Sequence, residues 1–98
     1  MKSFKVVLEG FPITIEIDGE RQRMSFVVTR FVEADDLEAA REQAIRVVRS
    51  DPKLRGSTDA WEIEHMKVVV GRAEEIPVDE VPGVQPGFAF FPFEETTH

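Results

Sequence analysis

Cysteine is absent from the 98 residues. No disulfide framework, thiolate zinc site or thiol nucleophile is therefore available. Long apolar runs are lacking too. The N-terminal run Val6-Val7-Leu8 ends at Glu9, too short for a signal-peptide core or a membrane span, so a cytoplasmic protein is expected. Histidine is scarce: His65 is the only internal one, His98 is the last residue, and neither has the neighbours that a Ser-His-Asp or His-metal site would need. The chain contains no Gly-rich phosphate loop and no HExxH, CxxC or GxSxG pattern, which argues against an enzyme and against a bound cofactor.

What is present has the balance of a folded domain, with 42% hydrophobic and 32% charged residues. At this length the chain makes one core and not two. The net charge of −7 is placed unevenly: residues 1–72 hold all 12 Lys and Arg against 13 acidic residues, whereas residues 73–98 hold Glu74, Glu75, Asp79, Glu80, Glu94 and Glu95 with no basic side chain. A single α+β domain over residues 1–72 is expected, followed by an acidic, Pro/Phe-rich tail over residues 73–98. The overall sign disfavours nucleic acid, which acidic proteins repel at long range.

Residues 3–9 alternate, with Phe4, Val6 and Leu8 on one face and Lys5, Val7 and Glu9 on the other, which predicts a strand. Gly10 and Pro12 punctuate it. Ile13, Ile15 and Ile17 predict a second strand, and Asp18-Gly19 after it supplies the positive dihedrals of a tight hairpin. A third strand should return antiparallel from Arg23 to Glu33, with Met24, Phe26, Val28 and Val32 on one face, interrupted by Arg30, and Val27, Thr29 and Phe31 on the other. Helical spacing follows, with Leu37, Ala40, Ala44, Val47 and Val48 as its apolar stripe. Asp35 fits the N-cap, with Glu38 three residues on, and Asp51-Pro52 closes the helix. Residues 53–60 read as a loop and Trp61 to Val70 as a fourth strand. Pro77, Pro82, Pro86 and Pro92 then forbid a long helix and leave a tail with one short extended piece at Phe88 to Phe91.

The expected order is β-β-β-α-β. A crossover helix after a three-strand meander predicts a mixed four-stranded sheet of order 3-2-1-4, its fourth strand parallel to the first. That topology is similar to the minimal core of the ribonuclease H-like fold and of small antitoxin domains. One helix covers one face of the sheet only, so the second face, with Val7, Val27 and Phe31, requires cover from the aromatic tail or from a second copy of the chain.

Thr29-Arg30-Phe31-Val32-Glu33-Ala34 before the capped helix, with Pro86-Gly87-Phe88-Ala89-Phe90-Phe91-Pro92 near the end, resembles a set of small bacterial proteins. The resemblance spans most of the chain. It implies a recurrent domain and supplies no catalytic residue.

Four constellations merit weighing. Glu9, Glu38 and either Glu62 or Glu64 are the carboxylates that a metal-dependent, ribonuclease H-like nuclease would draw together. Arg41, Arg46, Arg49, Lys53 and Arg55 offer a modest basic patch on and after the helix, with acidic neighbours at helical spacing and no aromatic interleaved for base stacking. Arg30, inside an apolar strand, either anchors an anionic ligand or partner carboxylate, or pairs within the chain with Glu33, Asp35 or an acidic tail residue. Phe88, Phe90, Phe91 and Phe93 form the most distinctive feature; exposed, they would make a sticky patch, so they are expected to pack on the domain or on a partner.

The sequence therefore points to a non-catalytic interaction module of a bacterial cytoplasm. It would act as a homodimer or with another protein, without cofactor or metal, and with Arg30 and Phe88, Phe90, Phe91 and Phe93 as partner-binding residues. The alternatives are the nuclease and an antitoxin-like domain that neutralises a basic partner.

Overall fold

The computed structural model describes residues 1–93; Glu94, Glu95 and His98 lie outside the described residues. Four strands and three helices are present: β1 (Lys2–Ile17), β2 (Glu20–Ala34), α1 (Leu37–Arg49), α2 (Pro52–Ser57), α3 (Ala60–His65), β3 (Lys67–Ile76) and β4 (Ala89–Pro92). The sheet order is β3-β1-β2-β4 and every pairing is antiparallel.

The α+β class and the single main helix agree with the sequence reading, but the polarity of the sheet does not. The two strands expected on either side of Gly10 and Pro12 are one strand. β2 is continuous over 15 residues and holds both halves of β1, with the irregularity confined to a register shift between Gly10 and Ile13. Pro12 falls inside that shift, where no ladder donor is required of it. Gly10 allows a close approach: a Cβ there would lie 2.2 Å from the fully buried Phe26 ring. Merging two strands into one removes a reversal of direction. The strand after the helices consequently runs antiparallel to β1 rather than parallel, and the sheet is not mixed. The likeness to a ribonuclease H-like core is lost with it.

Asp18 and Gly19 turn the hairpin with φ of 52° and 82°. Both dihedrals are positive, as a two-residue hairpin turn demands. From there β2 places Met24, Phe26, Val28 and Val32 against Phe4, Val6, Leu8 and Ile13 of β1 in one buried cluster.

All the helices follow aspartate caps. Asp36, not Asp35, caps α1, accepting from the Ala39 N–H at 2.8 Å. Asp51 caps α2 through the Lys53 and Leu54 N–H groups with Pro52 at the first turn, so the dipeptide that closes one helix opens the next. Asp59 accepts from Glu62 N–H at 3.0 Å and starts α3. The loop expected over 53–60 is thus largely helical. The strand expected from Trp61 begins only at Lys67, because Asp59 satisfies the first-turn donors and Ile63 reaches the core from a helix. Ala40, Ala44, Val48, Leu54 and Ile63 bury completely in the same cluster as the sheet's inner face. Each large side chain so buried contributes about 2 kcal/mol of transfer free energy.

β3 continues through the expected boundary at residue 72 to Ile76, with an extra residue, Gly71, between the pairs Val70–Leu8 and Arg72–Val7. The chain then passes a single 3-10 turn at Val78–Glu80 and reaches the far side of the sheet, where β4 pairs with Met24–Val27 of β2.

Candidate interaction surface

Arg30 is the one charged side chain in the core among the described residues, 3% exposed. It lies on the helix-covered face of β2, between Val28 and Val32. One terminal nitrogen donates to the carbonyl oxygens of Thr29 at 2.8 Å and Pro86 at 2.6 Å; the other donates to the Asp51 carboxylate at 2.8 Å. The Phe88 ring lies over the guanidinium, 5.1 Å from its centroid. Burial raises the pKa of Asp51, but hydrogen bonds from Arg30 and from the Lys53 and Leu54 N–H groups, with the charge of Arg30, more than offset it and hold the carboxyl below its ordinary range. The fixed fork of a guanidinium suits this task, since three acceptors in different directions are met by one planar group. Arg30 therefore joins β2, the cap of α2 and the segment before β4. Its carboxylate partner is Asp51, which the sequence reading did not consider, and not Glu33 or Asp35.

The four phenylalanines separate. Phe88 and Phe90 turn to the helix side, where both meet Phe26 edge-on, at 5.1 and 6.1 Å, and stack on one another at 5.8 Å; of the two, Phe88 packs against the core. Phe91, opposite Ser25 in register, turns to the other face. Phe93 stacks on Phe11 at 5.9 Å, with Arg23 beside it. Phe90 and Phe91 stay 39% and 38% exposed. The tail lengthens the sheet at its edge and does not lie across it.

Consequently the face opposite the helices has no covering layer among the described residues. Val7, Phe11, Val27 and Phe31 are half-buried there and Val69 is 39% exposed. Lys5 and Glu74, and Val7 and Arg72, stand directly opposite one another at its border. Away from the irregularities at Phe11-Pro12 and Gly71, side chains on this face alternate with core residues, so they cannot turn into the core without a shift of register.

The two edges of the sheet differ. The Phe93 N–H donates to the Arg23 carbonyl at 3.1 Å, which fixes Arg23, Ser25, Val27, Thr29 and Phe31 as the β2 residues whose backbone groups point away from β1. β4 pairs with the first of these. The Thr29 carbonyl is taken by Arg30, and the Gln85 amide bonds both backbone groups of Phe31, accepting from its N–H at 3.0 Å and donating to its carbonyl at 2.9 Å. No feature of Gln85 in the sequence announces this role, because it depends on where the tail lands. By the same alternation across β1, Val68, Val70, Ala73 and Glu75 direct their backbone groups away from the sheet on β3. Among the described residues β3 pairs with β1 alone.

The remaining candidates disperse. Glu9 sits on the uncovered face, whereas Glu38, Glu62 and Glu64 belong to helices on the other side, and Glu62 accepts from the Thr14 hydroxyl at 2.7 Å. Among the described residues no three His, Asp or Glu side chains are grouped to hold a metal ion. His65 lies in α3 rather than on an edge strand, stacked on the exposed Trp61 at 4.1 Å. Of the basic residues, Arg49 donates to the Ile63 and Met66 carbonyls and Arg55 to the Arg49 carbonyl, closing the junctions between helices. Arg41, Arg46 and Lys53 are exposed. No helix is long and apolar enough to cross a membrane among the described residues. In comparisons with family models, curated proteins and solved structures, no match to the chain is found.

Proposed function

We propose that this chain is a non-catalytic protein–protein interaction module of a bacterial cytoplasm that presents the uncovered sheet face to another protein. The single observation that carries the reading is that face: Val7, Phe11, Val27, Phe31, Val69 and Phe91 form one apolar surface on rigid strands, with charges of both signs at its border. Apolar groups held together in this way lower the free energy of the system when a partner removes them from water. Arg30, Phe88 and Phe90 support the surface from behind, while Phe91 and Phe93 contribute to it directly. A complementary partner has an apolar centre and a polar rim.

The test compares partner capture by the full chain and by its Val27→Glu variant, with Arg46→Glu on the helix side as control. Circular dichroism and thermal melting establish that each is folded. Loss of one defined partner with Val27→Glu, and its retention with Arg46→Glu, is the expected result. Identical capture by all three folded proteins overturns the assignment of the face.

A further inference from the structure

We infer that β3 is a self-pairing edge: two copies join antiparallel along it and form one continuous eight-stranded sheet. The inference deepens the interaction reading by naming a second copy as the partner at this edge, and it places the two uncovered faces side by side.

Three observations carry it. The first is the contrast between the edges. The β2 side is closed by β4, by the Gln85 amide and by Arg30, and Pro86 and Pro92 flank or end the closing segment. β3 is ten residues long, has no proline, and leaves the outward backbone groups of Val68, Val70, Ala73 and Glu75 without a strand partner among the described residues. An edge of that length is a template for another strand.

The second is the position of the extra residue. Because Gly71 interrupts the alternation, Lys67, Val69, Arg72 and Glu74 share the uncovered face, whereas Val68, Val70, Ala73 and Glu75 share the helix side. An antiparallel copy keeps the faces matched along the whole strand only when Val70 stands opposite Ala73 and Val68 opposite Glu75. The two-fold axis then passes between Gly71 and Arg72, at the middle of the strand, with Gly71 of each copy opposite Arg72 of the other. All four outward-facing residues find outward-facing partners, and about eight backbone hydrogen bonds form.

The third is charge. Lys67 stands at one end of β3 and Glu74 near the other, so reversal of the second copy brings basic end to acidic end. In this register Glu74 of one copy lies opposite Val69 of the other, with Lys67 and Arg72 of that copy as its diagonal neighbours, within reach of long side chains. A parallel arrangement would set like charges together. The self-complementarity required of a two-fold contact is thus present in the strand itself.

The test uses the full chain. Sedimentation equilibrium is expected to show a concentration-dependent dimer that Ala73→Pro abolishes, because proline removes an outward N–H and leaves the ladder to β1 intact. A second measurement does not depend on that variant folding. The native chain has no cysteine, so Val69→Cys combined with Glu74→Cys creates the only thiols, too far apart along one strand to bond within a copy and directly opposed across the dimer. Oxidation should give a covalent dimer on a non-reducing gel, while Lys67→Cys combined with Val69→Cys, which brings no thiol opposite another in this register, should give markedly less. A monomer at every concentration overturns the proposal. So does a dimer that ignores Ala73→Pro and shows no preference between the cysteine pairs. In either case loss of a foreign partner with Val27→Glu would still stand, which separates failure of the edge from failure of the face.

Discussion

Along the β2 edge the chain spends side chains and a returning segment to satisfy backbone groups, while along the β3 edge it spends nothing. On β2 the outward residues are met in turn by β4, by the Arg30 guanidinium and by the Gln85 amide. On β3 the equivalent groups of Val68, Val70, Ala73 and Glu75 meet no strand among the described residues. The difference shows two ways of finishing a sheet. One is internal and anchored in the core through Arg30 and Phe88. The other is left to a surface, with charges of opposite sign spaced along it. Since buried backbone groups without partners are costly, the closed edge can lie beside a core, and the open edge must remain wet or acquire a partner.

The closed edge should fail most severely at its anchor. Asp51→Ala leaves the Arg30 guanidinium buried without a counter-charge, and a loss of about 3 kcal/mol is expected from such a change. Denaturant unfolding measures it. Arg30→Met combined with Asp51→Ala should lose clearly less than the sum of the single variants, because the stranded charge is gone. Additive losses would show that the pair is not a unit. Hydrogen exchange sharpens the comparison. With Asp51→Ala the amides of Ala89 and Phe91 should lose protection, whereas those of β3 facing β1 should keep theirs relative to global stability.

The same anchor gives the closed edge a pH dependence. The Asp51 carboxyl titrates below its ordinary 3.8 in the folded chain. A depressed folded pKa means that the unfolded state binds the proton more readily, so the contribution to stability is fully present above the unfolded value and is lost as pH falls through the folded one. The stability difference between the wild type and Asp51→Asn should therefore be constant near neutrality and shrink below about pH 4. A difference that stays constant through acid would remove Asp51 from the account.

Much of this arrangement was legible in the residues, and the failures have physical causes. Alternation at Phe4, Val6 and Leu8 and at Met24, Phe26 and Val28 assigned the correct faces, because period two survives any pairing partner. Asp18-Gly19 located the hairpin by its backbone requirement. Gly10 and Pro12 misled, since they mark a local register shift inside a strand that long-range pairing keeps whole. Trp61 to His65 misled as well: the alternation of Trp61 and Ile63 with polar residues suggested a strand, but the Asp59 cap decided for a helix. Phe88 to Phe91 was recognised as an extended piece, yet its division into core-facing and outward-facing rings required knowing which edge it joins. Asp51 was read as the end of a helix, and its pairing with Arg30, 21 positions away, follows from tertiary placement alone.

The smallest expected effect is at Gln85, and it isolates the closing device from the core. The side chain is exposed and its two bonds go to the backbone of Phe31. Gln85→Ala should therefore cost about 1 kcal/mol or less, because water replaces the amide at both backbone groups. The informative reading is local. The Phe31 amide should exchange faster in the variant while Val28 and Val32, bonded toward β1, change only in step with global stability. If the freed β2 edge then pairs with another chain, sedimentation will show association that the wild type lacks and that Ala73→Pro on β3 does not remove. Gln85 would in that case act chiefly as a guard against pairing on its own edge. If no such association follows, β4 and Arg30 suffice to keep that edge closed, and the amide contributes only its local bonds.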